Sequence, residues 1–380
     1  MKWYALSHVG AEEALAKELT RLGVEPRQLT GGCVFEASKE QAANILYYSQ
    51  CAMRVLAAIT DGAYNELDLS YAHELIPAGE TFKVEVDVAA GGPGDETSID
   101  LASAYGEQID RPVDLEDPAY TVFVQVSSHS LAGIDLFGDL SKRYYRIFTN
   151  ARSVKGTLVA SILEYYPPTG NLLDPFGNTG ELAIEAALRA TNTSPRKYEK
   201  HLSASLLDDA KGSWTDEPVK PEHKIWCYDS QLGNLRSCKK NAKLAGVSDA
   251  ISFSKMDAEW MDVKFKENDL SLIVTVAPAV TKRNPSDKHL EELCYQAEYV
   301  LANTEGKLVV CCLNPETAHA PLLQYLLVHR PYALSLHRCC TLERLGANDT
   351  HCAEHRHDDG LEQVHGDAHN RVDGGARGRK

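Results

Sequence analysis

The sequence predicts an α/β protein in which small strand-helix modules precede a doubly wound, Rossmann-like domain. Three observations predict it. Two short strand-helix units fill the first sixty residues. From Ala151 onward, strands and helices alternate at a larger scale. An acid then closes each of the first three strands of that alternation, at Asp174, Asp229 and Asp257.

Taken in order, Trp3 to Ser7 reads as a strand and Ala11 to Leu22 as a helix with Leu15, Leu19 and Leu22 on one side. Cys33 to Glu36 is a second strand. Lys39 to Leu46 opens a helical stretch that meets an apolar strand, Arg54 to Ile59, and the rhythm is that of a small α/β or ferredoxin-like module. Thr81 to Val88 alternates with Phe82, Val84, Val86 and Val88 on one face, and Gly91 to Gly94 breaks it. Ser98 to Ile109 reads as a helix, Pro112 to Pro118 as an acidic turn, and Thr121 to Val126 and Leu131 to Leu136 as strands.

In the second half, a helix at Leu158 to Tyr165 leads to a strand, Asn171 to Leu173, and then a helix at Glu181 to Ala190. Further strands are predicted at Ile225 to Tyr228, Ile251 to Phe253, Leu270 to Val276 and Lys307 to Leu313. The helices between them run from Leu232 to Ala245 and from Leu290 to Leu301. Such alternation implies right-handed crossovers and a parallel sheet covered on both faces. A last helix-strand pair is predicted at Leu322 to Leu327 and Ala333 to Leu336. Beyond Cys339 the chain turns polar and reads as an irregular tail.

Charge is unevenly placed. Between Asp61 and Leu140 stand seventeen acids against two bases, Lys83 and Arg111, which accounts for the whole net charge of −15. A polyanion binder with basic surface on every side is excluded. No apolar run reaches the roughly 20 residues of a membrane span, the N-terminus lacks a signal peptide's apolar core, and ten cysteines have no disulfide-framework spacing. These features predict a cytoplasmic protein without membrane contact.

The chemistry concentrates at the strand ends, where ligands of doubly wound sheets bind. Asp174 is followed by the tight turn Gly177-Asn178-Thr179-Gly180. A carboxylate at Asp229 can accept both hydroxyls of a ribose, and one at Asp257 an exocyclic amine of adenine. The alternative is that these acids cap helices and turns. Lys142, Arg143 and Arg146 end the acidic block and are candidate phosphate contacts, or a solvated linker. Cys352, His355, His365 and His369 have ligand-like spacing, but nothing frames them as a metal module, and no metal site is predicted.

Asp174 to Leu188, DPFGNTGELAIEAAL, resembles motif I of the THUMP-containing class I S-adenosylmethionine-dependent RNA methyltransferases. Asn241 to Val247 is similar to the helix end after that family's ribose acid, Gly133 to Arg146 to the end of its THUMP domain, and residues 1 to 60 to its ferredoxin-like domain. The resemblance implies a ferredoxin-like domain over 1–60, a THUMP module over 61–146, a methyltransferase domain over 147–338 and a tail over 339–380. It implies S-adenosyl-L-methionine as cofactor, methyl transfer to N2 of guanosine, and tRNA or another structured RNA as partner. Asp174 and Gly180 would line the methionine end, Gly177 would belong to the same cofactor site, Asp229 would hold the ribose, and Asp257 with Ala258 the adenine.

The family pattern is altered at two places. Gly177, Asn178 and Glu181 replace its Cys, Gly and Thr, and Glu181 would set a carboxylate beside that of the methionine moiety. The catalytic position, an Asn or Asp followed by Pro-Pro-aromatic, reads Val276-Ala277-Pro278-Ala279. Val276 has no side-chain acceptor for the target amine, and Ala279 no ring to stack on a flipped base. Two functions follow: a methyltransferase using main-chain acceptors, or a non-catalytic RNA-binding homologue that partners an active enzyme.

Overall fold

The computed structural model describes residues 1–88, 97–199, 214, 216–276, 288–302, 306–313, 323–329 and 341–343. Its first half is one sheet. The strands are β1 (Lys2–Leu6), β2 (Arg27–Leu29), β3 (Gly32–Glu36), β4 (Arg54–Gly62), β5 (Phe82–Val88), β6 (Tyr120–Val126) and β7 (Ser130–Asp135), in the order β2-β3-β1-β4-β7-β6-β5. Only β5 and β6 pair in parallel. β4 pairs with β1 on one side and β7 on the other, so the two predicted N-terminal modules share a continuous ladder.

Alternation along these strands fixes the faces. Trp3, Ala5, Cys33, Phe35, Val55 and Ala57 meet α1 (Glu12–Arg21) and α2 (Lys39–Tyr48) in one core. Tyr4, Leu6, Val34, Leu56, Phe123 and Leu131 form a second cluster on the opposite face. The helix α2 starts on a capping box, with Ser38 and Gln41 satisfying each other's backbone N–H groups. Two short helices, α3 (Ala72–Leu75) and α4 (Ser98–Gly106), complete this half.

The second half is doubly wound, as predicted. Its strands are β8 (Leu172–Asp174), β9 (Ile225–Asp229), β10 (Ile251–Lys255), β11 (Leu272–Val276), β12 (Lys307–Leu313), β13 (Leu323–His329) and β14 (Thr341–Glu343). They lie in the order β10-β9-β8-β11-β12-β13-β14. The chain runs outward in one direction from β8 to β10 and in the other from β11, so the switch point lies between β8 and β11. Helices α5 (Gly156–Tyr165), α6 (Glu181–Ala190) and α7 (Leu232–Ala245) cover one face, where Leu172, Cys227 and Val274 point. Helices α8 (Met261–Lys264) and α9 (Lys288–Val300) cover the other, meeting Leu173, Tyr228 and Ile273.

Two late expectations change. The helix expected at Leu322 to Leu327 is a strand where it is described: Leu323–His329 is β13, antiparallel to β12. A short apolar run has no periodicity of its own, and ladder pairing decides it. Thr341–Glu343, within the expected irregular tail, pairs with β13 as β14. The strand expected at Ala333 to Leu336, and Cys352 with the tail histidines, lie outside the described residues. Among the described residues no helix is long and apolar enough to cross a membrane, and no metal-sized group of three His, Cys, Asp or Glu occurs.

A buried ion pair joins the two halves. Arg143 donates from Nε to Glu185 on α6 at 2.8 Å, and the two residues are 4% and 0% exposed. Tyr145 donates its hydroxyl to the same carboxylate at 2.7 Å, and Gln50 donates its amide at 2.8 Å. Arg143 also reaches the carbonyls of Leu140 and Gln50. Burial opposes the charge of Arg143, but Glu185 outweighs it and keeps the guanidinium firmly protonated. Glu185→Ala leaves that charge buried and unpaired, and is expected to destabilise the protein by about 3–5 kcal/mol in urea titration. Replacing both partners, as Arg143→Met with Glu185→Leu, is expected to cost clearly less.

Candidate active site

The site is built on the carboxyl ends of β8, β9 and β10. Asp174, at the end of β8, is 2% exposed. Its Oδ1 accepts hydrogen bonds from Thr275 Oγ1 on β11 at 2.7 Å and from the Phe176 amide at 3.3 Å. Among the described residues Oδ2 has no partner. Burial lifts this carboxyl to about 7 against the pull of those two donors, and the nearby carboxylates of Asp229 and Glu181 add to the rise.

The turn that follows departs from the motif in residue type but keeps its shape. Gly177 donates its amide to the Tyr228 carbonyl at 2.7 Å, which presses the turn against β9. A Cβ at position 177 would stand 2.4 Å from Cys227 Sγ. The thiol that the motif carries on the turn is here carried by the neighbouring strand. Asn178 takes φ 48, the left-handed conformation that Asn tolerates best after Gly, and Gly180 takes φ 92. A side chain at 180 would also meet the Cα of Cys238 at 3.0 Å.

Glu181, where the sequence predicts a repulsive charge, is turned inward and 5% exposed. Thr179 Oγ1 donates to it at 2.7 Å, and Arg146 Nε lies at 3.4 Å. Burial raises its pKa while Thr179 and Arg146 pull it down. The stretch before α5 is stitched to the same turn, because Ser153 Oγ lies 2.6 Å from Thr179 Oγ1 and Asn150 donates to the Asn178 side chain at 2.7 Å. Asn241 locks α7 onto both, through the Thr179 carbonyl at 2.8 Å and the Phe148 backbone.

Asp229, at the end of β9, accepts from the amides of Gln231 at 2.7 Å and Asn178 at 3.0 Å, and from the Asn234 side chain. Asp257, one strand further out, is exposed and its carboxylate makes no hydrogen bond among the described residues. Ala258 is buried with Met261 and Phe265. The structure therefore brings Asp174, Gly177, Gly180 and Asp229 together, with Asp257 beside them on the next strand. Val276 ends β11, half-buried and directly after Thr275, whereas Ala277, Pro278 and Ala279 lie outside the described residues.

Of the three predicted phosphate contacts, Lys142 is exposed and Arg146 is engaged with Glu181. Arg143 is corrected: its guanidinium is sealed against Glu185 and is closed to a phosphate. Thr275, Cys227, Asn234 and the Arg146–Glu181 pair were missed. A lone hydroxyl inside the apolar strand LIVTV is a signal for Thr275; the others depend on contacts between distant segments.

Residues 143–313 match the family described as RMKL-like, methyltransferase domain, and residues 2–56 the RlmL ferredoxin-like domain. The chain is 28% identical over 316 residues to ribosomal RNA large subunit methyltransferase K/L of Vibrio cholerae, covering 74% of this chain and 44% of that protein. It therefore spans less than half the length of this relative. It is 27% identical over 304 residues to tRNA (guanine(6)-N2)-methyltransferase of Methanocaldococcus jannaschii, covering 71% of this chain and 79% of the relative. A possible methylase from Clostridium difficile shares the fold with a TM-score of 0.65 at 22% identity, over 86% of this chain and 94% of that one.

Within the methyltransferase domain, the exchange of side chain between 177 and 227 is testable. Gly177→Ala is expected to destabilise by about 1–3 kcal/mol through the clash with Cys227. Adding Cys227→Ala should recover most of that loss in thermal unfolding.

Proposed function

We propose that this protein is a cytoplasmic S-adenosylmethionine-dependent methyltransferase acting on the exocyclic N2 of guanosine in tRNA or ribosomal RNA. The observation that carries the reading is the row of three strand-end carboxylates, in which Asp174 Oδ2 and the Asp257 carboxylate have acceptor capacity to spare. These groups fit a ligand with an ammonium at one end and an adenosine at the other. The relatives named above as RNA methyltransferases, and the RMKL-like domain, support the same reading.

When bound, the cofactor supplies an electrophilic methyl group on a sulfonium. Asp174 would hold the ammonium of its methionine part, Asp229 the ribose hydroxyls, and Asp257 the adenine amine. Thr179 and Arg146 already engage Glu181, which offsets its repulsion of the methionine carboxylate. The target amine would be met by main-chain acceptors, since Val276 brings no side-chain acceptor. Alignment of amine and sulfonium then supplies much of the rate. Residues 61–146 act as the THUMP module, and RNA approaches along the edge that carries Lys142.

Calorimetric titration with S-adenosylmethionine and S-adenosylhomocysteine tests the first half of this proposal, and methyl incorporation into tRNA and ribosomal RNA transcripts tests the second. Micromolar binding with incorporation is the expected result. Binding without incorporation into any RNA would favour the non-catalytic homologue, a reading that Val276 supports. Asp229→Ala is expected to weaken binding by about 1–3 kcal/mol.

Binding should also depend on pH through Asp174. Its carboxyl must ionise to hold an ammonium, and its pKa is about 7. Affinity for S-adenosylhomocysteine is expected to fall about tenfold per pH unit below 7 and to level off above it. The free protein should behave oppositely. A carboxyl raised from 3.8 to about 7 favours the protonated fold, so stability is lost as pH climbs through that window. Asp174→Asn should flatten both profiles.

A further inference from the structure

Asp229 is fully occupied without any ligand. Its Oδ1 accepts from the Gln231 amide at 2.7 Å and from Asn234 Nδ2 at 3.2 Å. Its Oδ2 accepts from the Asn178 amide at 3.0 Å and from the same Asn234 Nδ2 at 3.1 Å. A carboxylate offers about four lone-pair positions, two on each oxygen, and all four are taken. The four bonds are not equivalent. Gln231 precedes the first turn of α7 and Asn178 belongs to the tight turn after β8, so both amides are fixed by backbone. The Asn234 amide sits on a half-buried side chain that can rotate away. It places one nitrogen across the two oxygens, bridging the pair of positions that a vicinal diol takes with its two hydroxyls.

We propose that Asn234 competes with the ribose of the cofactor for Asp229, holding the diol positions in the free protein and turning out when the ligand binds. The inference rests on the cofactor reading above and adds a residue that sets the affinity of that site. In the free protein the Asn234 amide fills two acceptor positions that a carboxylate only 5% exposed would otherwise leave empty. Binding exchanges this bond for the two ribose hydroxyls, so the free energy of the Asn234–Asp229 contact is subtracted from the affinity. Removing the amide raises the energy of the free state and leaves the bound state unchanged. Ligand without the two hydroxyls has no quarrel with Asn234 and should not notice its loss.

The experiment is calorimetric titration of the full chain, wild type, Asn234→Ala and Asp229→Ala, with S-adenosylhomocysteine and with its 2′,3′-dideoxy counterpart. Asn234→Ala is expected to bind S-adenosylhomocysteine about fivefold more tightly, the worth of one hydrogen-bond exchange, and to bind the dideoxy compound as the wild type does. Asp229→Ala should lose the discrimination between the two ligands. In thermal unfolding, Asn234→Ala should show a lower midpoint alone and a larger upward shift with ligand. Wild-type binding with equal or weaker binding by Asn234→Ala would overturn the role of Asn234 and leave the cofactor reading standing. Equal tightening for both ligands would also overturn it, because the effect would not involve the diol. No binding by wild type or Asn234→Ala would remove the cofactor reading and this inference together.

Discussion

The buried charge pair between Arg143 and Glu185 is the constraint around which the two halves assemble. Glu185 receives hydrogen bonds from three residues on two segments: Gln50 after α2, and Arg143 and Tyr145 from the stretch that leads into the second half. Burying a guanidinium and a carboxylate is unfavourable unless each finds its full set of partners. Those partners exist only when the first sheet and α6 stand in their observed relation. A shift of either strands a charge in an apolar surround. Neighbouring contacts follow the same line, with Arg21 and Arg189 both at Glu164 and His8 Nε2 at 3.0 Å from Thr157 Oγ1.

The tight turn after β8 keeps its form despite its changed residues, because each change is answered elsewhere. Loss of a side chain at 177 is met by the Cys227 thiol, which fills the same space from β9. Asn178 adopts the left-handed backbone and uses its amide to fix Asp229. The charge at Glu181 is absorbed by Thr179 and Arg146. Motif letters therefore misjudge this turn, since the physical requirements are a close backbone approach, one or two left-handed residues and a satisfied helix start. Val276 has no such answer among the described residues.

Most elements were legible because their periodicity is strong. The alternation over TFKVEVDV gives β5 almost to the residue, and Glu181–Ala190 and Leu232–Ala245 stand where apolar spacing puts them. Strand-end acids were legible for the same reason, since the end of an apolar run marks the end of a strand. What could not be read is long-range. Nothing local assigns Leu323–His329 to a ladder rather than a helix, and nothing local tells an exposed Arg143 from a buried one. The spacing of Lys142, Arg143 and Arg146 is that of a basic surface, but Glu185, 42 positions further on, takes the middle residue inside. Asn234 is a polar residue on a half-buried helix face until its distance to Asp229 is known.

The continuity of the first sheet has a mechanical consequence. With β4 hydrogen-bonded to β1 and β7, the N-terminal half has no internal hinge at the boundary between its two modules. The Arg143–Glu185 pair clamps that plate to the domain carrying the strand-end acids. The strand-end acids are thereby held at a set distance from the first sheet.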